Sequence, residues 1–181
     1  IPTGVATTFI LPDGRRTFAT YLGAAATVSA EDLFETDFAA VDYLFIEGYL
    51  VQNHALILRA VELAQRNGVK VCLDLASWNI VEEEHDFFKQ LLPKIDIVFA
   101  NEEEAQAMTG TTGEAAAEWL AKICPIAVVK CGAKGAVAVS KDEKVSVTAE
   151  KVEKVEDTTG AGDFFAGGFL YEHAKGATLQ Q

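Results

Sequence analysis

From residue 43 onward, short apolar runs alternate with longer segments whose apolar residues recur at helical spacing. The runs predict four buried strands, at 43–46, 69–73, 96–100 and 126–130. The segments between them predict helices at about 53–67, 80–92, 102–109 and 113–123. Gly68 and Pro93 end the first two helices, and Asn79 caps the second. Such strand–helix alternation is typical of a parallel sheet with helices on both faces.

The two ends of the chain have a different pattern. Residues 3–22 predict a hairpin that is rich in Thr, Phe, Ile and Tyr and turns at Pro12-Asp13-Gly14. A short helix capped by Ser29 follows. Near the other end, short strands at 135–140 and 144–149 precede a glycine-containing loop and a final amphipathic helix.

Bulk composition narrows the class of protein. The chain has 181 residues, half of them hydrophobic, and a formal net charge of −12, which together predict a globular chain with a real core. Its basic residues are not clustered, which argues against nucleic acid and anionic membranes as partners. No apolar run approaches the roughly 18 residues of a membrane span.

The cysteines and the chain ends add two expectations. Cys72, Cys124 and Cys131 are odd in number and lack metal-like spacing, which indicates reduced thiols in a cytoplasmic protein. The chain starts at Ile1 rather than at methionine, and the pattern of its last residues predicts that it stops at the beginning of another helix. We therefore expect it to be an internal piece of a longer protein.

The stretch Asp157-Thr158-Thr159-Gly160-Ala161-Gly162-Asp163 leads directly into the final helix. Its two glycines let the backbone turn sharply and expose N–H groups at a helix N-terminus, where the macrodipole also favours negative charge. Asp163 falls in the first helical turn. A carboxylate beside an anion site suggests a base that deprotonates a group next to a phosphate. Phe164-Phe165 and Gly167-Gly168 are expected to pack the helix against the sheet.

Polar residues stand at the carboxyl ends of all four predicted parallel strands: Glu47, Asp74, Asn101 and Lys130. Open α/β sheets bind ligands outside this edge, to which the glycine loop must also return. The pattern therefore predicts a ligand site at the edge, although strand ends lead into polar loops in any case.

The run DTTGAGDFFAGGF at 157–169 resembles the C-terminal signature of the ribokinase-like (PfkB) carbohydrate kinases, which include sugar and nucleoside kinases. The resemblance implies an α/β fold with a doubly wound, mainly parallel sheet flanked by helices, and a small β-sheet lid over the substrate. Residues 3–22 would be lid strands and residues 23–181 an α/β kinase core, incomplete at both ends. With its first strands absent, the isolated chain is expected to be unstable.

The resemblance also implies a reaction: ATP-dependent transfer of a phosphoryl group, with Mg²⁺, to a hydroxyl of a sugar or sugar-like substrate. Asp163 is then the base that accepts the hydroxyl proton and contacts the substrate, while Gly160, Ala161 and Gly162 form the anion hole. The alternative from a different class is a catalytically silent, ligand-binding relative, because a fold alone does not guarantee activity.

Asn101 and Glu104 have two compatible explanations. On physical grounds, Asn followed three residues later by Glu is a capping box at a helix start. In the resembled family, the pair matches an Asn-x-x-Glu motif that organises Mg²⁺, water and phosphate. Asp74 either acts on metal or phosphates through water or is an ordinary strand-end residue.

The resemblance assigns further binding residues. The loop that provides Lys130, Gly132, Ala133, Lys134 and Gly135 is similar to the family's nucleotide loop, in which glycines allow close approach and lysines offset phosphate charge. By itself, such a Gly-x-x-Gly turn is most often a tight hairpin connection. Asn101 and Gly162 are expected to contact the nucleotide too. Asp157 and Thr159 match a monovalent-cation (K⁺) site, and Glu47 matches a sugar contact of some members.

The choice of substrate stays open between two classes. Residues 16–26 are somewhat similar to adenosine-kinase-like members, so adenosine or another nucleoside is the second candidate after a sugar. Lids of some family members pair between subunits, which raises a homodimer through the lid as a candidate assembly.

Overall fold

The computed structural model describes residues 1–11, 16–153, 155 and 158–181, and its strands form two sheets. β1 (Thr3–Ile10) and β2 (Arg16–Gly23) pair antiparallel as the predicted hairpin, with Val5 opposite Tyr21. The predicted turn, Pro12-Asp13-Gly14, lies outside the described residues. Every residue of β1 is exposed, so the hairpin buries no core of its own along this strand.

The second sheet follows the order of the chain: β3 (Tyr43–Glu47), β4 (Lys70–Asp74), β5 (Ile97–Asn101), β6 (Ile126–Lys130), β7 (Ala136–Ser140) and β8 (Lys144–Val147). β3 to β6 are parallel, and β7 and β8 are antiparallel to their neighbours. The four predicted parallel strands are confirmed, each displaced by no more than a residue. The sheet is therefore mixed and mostly parallel.

The described residues form these α-helices: α1 (His54–Arg66), α2 (Trp78–Glu83), α3 (His85–Leu91), α4 (Glu102–Thr109), α5 (Gly113–Leu120) and α6 (Ala161–Ala174). The helix predicted at 80–92 is wrong in detail, because α2 and α3 meet at Glu84, whose backbone (φ −107°, ψ 22°) is not helical. Its cap is Ser77 rather than Asn79. Asn79 lies inside α2, where its side chain accepts a hydrogen bond from the Ser77 hydroxyl.

The segment after Ser29 is a 3₁₀ turn, Ala30–Asp32, rather than a longer helix. The Asp32 carboxylate accepts hydrogen bonds from the Ser29 N–H (2.9 Å) and from the Ser29 hydroxyl (3.0 Å). Ser29 is thus the N-cap residue, as predicted, of a shorter element, and the capping contacts come from the Asp32 carboxylate.

Helices α1 to α5 share one face of the six-stranded sheet. Each connection links a strand to its parallel neighbour, and right-handed crossovers in one direction place all these helices on the same side. They bury a large core that includes Val61, Leu73, Phe88, Val98 and Val129. α6 covers the opposite face through a smaller cluster, in which Phe169 meets Phe99 edge to face at 5.4 Å. Helices therefore flank both faces, as predicted.

The packing expected of the residues after Asp163 is only partly seen. Phe165 packs on the smaller cluster, but Phe164 is 84% exposed, so its predicted packing role is wrong. A Cβ added at Gly167 or Gly168 would meet no atom of the described chain within 4 Å, so neither glycine is there to admit a close neighbour.

The cysteines are buried free thiols. Burial is the main cause that raises the pKa of the Cys72 and Cys124 thiols to about 12. Across the described ranges, no helix is long and apolar enough to cross a membrane.

Candidate active site

The predicted strand-end residues meet at the carboxyl edge of the parallel sheet. Glu47 lies opposite Asp74 in the register of β3 and β4, and Asn101 lies opposite Lys130 in the register of β5 and β6. Parallel pairing with nearly equal strand lengths therefore collects an amide, an ammonium and two carboxylates along one edge.

Asp74 and Lys130 form an ion pair across the intervening strand, β5. The Lys130 Nζ lies 2.6 Å from the Asp74 Oδ2, and the two side chains are 18% and 11% exposed. The other carboxylate oxygen, Oδ1, accepts a hydrogen bond of 2.9 Å from the Ala76 N–H. Ala76 has a φ of +64°, an uncommon conformation for a residue with a Cβ. Both oxygens of Asp74 are therefore engaged.

Asn101 and Glu104 form the predicted capping box at the start of α4. The Asn101 side chain accepts hydrogen bonds from the N–H groups of Glu103 and Glu104, and the Glu104 carboxylate accepts from the Asn101 N–H (2.8 Å) and Nδ2 (2.6 Å). Glu104 is only 3% exposed. Burial raises the pKa of its carboxyl to about 7, against hydrogen bonding from the Asn101 backbone, which lowers it.

The glycine loop begins α6 as predicted. Gly160 is the N-cap residue and has a φ of +75°, which a residue with a Cβ rarely adopts. The Ala161 N–H, one of the groups expected to form an anion hole, donates a hydrogen bond of 3.1 Å to the Thr158 carbonyl oxygen.

The N-terminus of α6 lies against the strand-end residues. A Cβ added at Gly162 would lie 3.4 Å from the Lys130 Nζ, so the ammonium sits directly over this turn of the helix. Asp163 is exposed one residue further along. The carboxylate, the helix N-terminus and the ammonium of Lys130 are thus brought together from distant parts of the chain.

A depression of about 260 Å³ lies beside Asp163. It is lined by Phe45, Glu47, Asp163, Ala166, Gly167 and Leu170. Burial raises the pKa of the Glu47 carboxyl, and the negative charges of Asp74 and Asp163 raise it further, whereas Lys130 lowers it. Two carboxylate side chains and several apolar groups therefore line the depression, which suits a small molecule that carries both polar and apolar groups.

The loop predicted to bind a nucleotide connects β6 to β7 as a 3₁₀ turn, Gly132–Lys134. Gly132 and Gly135 have φ values of +55° and +104°, and a Cβ at Gly135 would lie 1.8 Å from the Val147 carbonyl oxygen. Ala133 and Lys134 are exposed, and the Lys134 Nζ pairs with the Glu102 Oε1 at 3.0 Å. The loop is tight and open to solvent, and both of the predicted phosphate-binding lysines, Lys130 included, are paired with carboxylates.

The structure describes only one of the two residues of the predicted monovalent-cation site. Asp157 lies outside the described residues, and Thr159 is exposed in the turn before α6. Within the described ranges, no three His, Cys, Asp or Glu side chains are grouped so as to hold a metal ion by themselves. A cation at this edge would need ligands from elsewhere, such as water or a bound phosphate.

The sequence pattern did not anticipate the pairing of Asp74 with Lys130. The two residues are 56 positions apart, so no local spacing encodes their contact. The positive φ of Ala76 was also missed, because alanine gives no signal for a left-handed conformation. Only the predicted order of the parallel strands pointed to a meeting of these residues.

The mostly parallel sheet, the separate hairpin and the glycine-capped helix at the carboxyl edge together define a ribokinase-like fold. Residues 1–181 match the profile described as "pfkB family carbohydrate kinase". The chain belongs to this family.

Several relatives show how far the likeness extends. An adenosine kinase of Schizophyllum commune is 35% identical over 153 residues, which are 72% of this chain and 44% of that protein. A ribokinase of Staphylococcus aureus is 29% identical over 175 residues, 93% of this chain and 55% of that protein. The crystal structure of adenosine kinase from Sinorhizobium meliloti superposes with a TM-score of 0.90 at 35% identity, covering 99% of this chain and 57% of that one. The chain thus spans about half the length of these relatives.

Proposed function

We propose that the protein to which this chain belongs transfers a phosphoryl group from ATP to a hydroxyl of a sugar or sugar-like substrate. The observation that carries the proposal is the position of Asp163, which is exposed at the N-terminus of α6 and directly follows Gly162, against which the Lys130 ammonium lies. A carboxylate next to a positively charged anion site is suited to remove a proton from a hydroxyl as phosphate approaches it. Membership of a carbohydrate kinase family supports the same reaction.

In the proposed reaction, the residues at the acceptor side and those of the glycine loop have separate roles. Asp163 accepts the proton of the acceptor hydroxyl and, with Glu47, orients the acceptor in the depression beside α6. The backbone N–H groups of Gly160, Ala161 and Gly162 stabilise the negative charge that develops on the transferred group. For Ala161 this requires its N–H to exchange the Thr158 carbonyl oxygen for a phosphate oxygen.

The loop between β6 and β7, at the same carboxyl edge of the sheet, holds the nucleotide. The loop of Gly132, Ala133 and Gly135 is exposed and backbone-rich, which suits close approach of a nucleotide, and Lys134 can exchange Glu102 for a phosphate. Asn101 and Gly162 complete the contacts from the sheet edge.

A divalent cation fits the pair Asn101 and Glu104. Burial is the main cause that raises the pKa of the Glu104 carboxyl, and the positive charge of Lys130 offsets it only in part. A divalent cation would stabilise the ionised carboxylate, and Mg²⁺ prefers a few carboxylate oxygens together with water and phosphate. When bound, Mg²⁺ supplies positive charge to the phosphate oxygens. Asp157 and Thr159 are the proposed ligands of a monovalent cation such as K⁺. The hairpin of β1 and β2 is the proposed lid and the proposed contact between two subunits.

A nucleoside, and adenosine first, is the second candidate acceptor. Two relatives at 35% identity, one compared by sequence and one by structure, bear the name adenosine kinase. A sugar stays the first candidate because the family description names carbohydrate kinases and because the ribokinase of S. aureus, at 29% identity, aligns with 93% of this chain.

A phosphorylation panel tests the proposal. The complete protein would be incubated with MgATP and, separately, ribose, fructose, other sugars and adenosine, and the phosphorylated product and ADP would be measured together. We expect stoichiometric product and ADP with at least one sugar. Preference for adenosine would establish the second candidate, and binding of ATP without turnover on any acceptor would indicate a silent relative.

A further inference from the structure

We infer that Asp74 is a positioning residue that holds the Lys130 ammonium over the N-terminus of α6, where Lys130 supplies the side-chain positive charge of the anion site. This role rests on the proposed phosphoryl transfer, which requires phosphate to bind at the same place. Asp74 itself contacts no phosphate in this arrangement and acts through Lys130.

The Lys130 ammonium lies between the Asp74 carboxylate and the N-terminus of α6. The Lys130 Nζ is 2.6 Å from the Asp74 Oδ2 and would be 3.4 Å from a Cβ at Gly162. Both side chains of the ion pair are largely buried, so the ammonium has little freedom to swing into solvent. An ammonium has three donors, and the bond to Asp74 uses one of them.

Asp74 is itself held from a second direction. Its Oδ1 accepts the Ala76 N–H at 2.9 Å, and Ala76 adopts a φ of +64°. A left-handed conformation is unfavourable for alanine, and here it turns a backbone donor onto the carboxylate. The loop after β4 thus orients Asp74 so that its other oxygen faces Lys130.

The excess of negative charge at the carboxyl edge of the sheet explains why the Lys130 ammonium must be held in one position. Glu47, Asp74, Glu104 and Asp163 all carry carboxyl groups here, and Lys130 influences the titration of both Glu47 and Glu104. A helix N-terminus contributes only about half a positive charge, which is small beside several carboxylates and a polyphosphate. An ammonium kept at one point, against the first turn of α6, offers phosphate a specific position of attraction.

A double-mutant cycle on Asp74 and Lys130 tests the inference. The probe is inorganic tripolyphosphate, which carries phosphate charge without a nucleoside and needs no acceptor. Asp74→Asn is informative because an amide that accepts from the Ala76 N–H with its oxygen must face Lys130 with its NH₂ group, which cannot accept a hydrogen bond. Calorimetry would give the tripolyphosphate affinity of the complete protein, of each single variant and of the double variant.

We expect Lys130→Met to weaken tripolyphosphate binding about tenfold or more in the wild-type background and less than about threefold in the Asp74→Asn background. Comparing Lys130 within each background cancels the direct repulsion between Asp74 and the probe. Equal losses in both backgrounds would show that Asp74 does not position Lys130. No loss in the wild-type background would show that Lys130 does not charge the site.

The matched control is an ion pair with the same separation elsewhere. The Lys144 Nζ lies 2.6 Å from the Glu114 Oε1, on the surface between β8 and α5. Glu114→Gln and Lys144→Met should leave tripolyphosphate affinity unchanged. Thermal unfolding checks that each variant is folded, and Asp74→Ser replaces Asp74→Asn if the latter is not. Absence of turnover on every acceptor, with the cycle intact, would refute the proposed kinase activity and leave the role of Asp74 standing.

Discussion

Asp163 stands exposed in the first turn of α6, and the proposed chemistry depends on its carboxylate more than on any other group. Asp163→Asn preserves size but removes the proton acceptor, so we expect kcat to fall by about 10²–10⁴-fold. Nucleotide affinity should change by less than about threefold, because the base acts on the acceptor hydroxyl. Steady-state kinetics and calorimetry on the complete protein measure the two quantities. Near-normal turnover would contradict the assignment, and Asp142→Asn, in an exposed turn, is the control.

Glu104 makes the stability of the metal-free protein depend on pH. Its pKa is about 7 in the folded chain, above the 4.5 of an ordinary glutamate, so the folded state binds the proton more tightly than the unfolded state. Stability therefore falls as pH rises through this window, by on the order of 3 kcal/mol if the shift is fully expressed. Glu104→Gln should remove most of the slope, as measured by denaturant unfolding at about pH 5 and about pH 8.

The same variant separates burial from metal binding. Mg²⁺ added at about pH 8 should stabilise the wild-type protein, because it stabilises the ionised carboxylate, and should have little effect on Glu104→Gln. An unchanged pH slope in Glu104→Gln would show that another group titrates. An equal response to Mg²⁺ in both proteins would show that the ion binds elsewhere.

Single residues also show where sequence reasoning reaches its limit. The capping box of Asn101 and Glu104 was predictable because it lies within four residues of chain. The burial that raises the Glu104 pKa was not predictable from that box, since it depends on how α4 packs. The contact of Asp74 with Lys130 depends on the register of three strands, which no local pattern specifies.

At the scale of elements, the loop between β6 and β7 is constrained by its second glycine rather than its first. Gly135→Ala would place a Cβ 1.8 Å from the Val147 carbonyl oxygen at a φ of +104°, so we expect a loss of more than about 3 kcal/mol in unfolding free energy. Gly132→Ala, at a φ of +55° with no atom within 4 Å, should lose only about 1–2 kcal/mol. Denaturant midpoints compare the two variants, and equal losses would contradict the packing seen at Gly135.

Strands were predicted more accurately than helices. The bounds 126–130 match β6 because a buried parallel strand is a continuous apolar run, which here begins after Pro125 and ends at Lys130. The break at Glu84 was missed because residues 80–92 keep a helical pattern of apolar positions through it, while the backbone of one residue leaves the helix. Periodicity reports which face is buried and is insensitive to a local change in direction.

At the scale of the whole molecule, the hairpin is one of the most exposed parts of the described chain. All of β1 is exposed, and two strands alone are marginally stable. Backbone amides of β1 and β2 should therefore exchange with solvent much faster than those of β4 and β5, as hydrogen exchange with mass spectrometry would measure. Protection equal to that of β5 would mean that another part of the complete protein covers the hairpin. Slower exchange in the presence of acceptor and ATP would support the proposed lid.

The unequal covering of the sheet has a consequence for how the site responds to ligands. Five helices are fixed to one face by the large core, whereas α6, which carries Asp163, buries only Ala166 among its fourteen residues. We therefore expect α6, with the Asp163 carboxylate and the helix N-terminus, to detach at lower free energy than the rest of the domain, whereas Lys130 stays with the sheet. Any ligand that bridges α6 and the strand ends couples the two units, so its binding energy is spent partly on joining them. The affinity for phosphate and the local stability of α6 are therefore thermodynamically linked, so that a change in one changes the other.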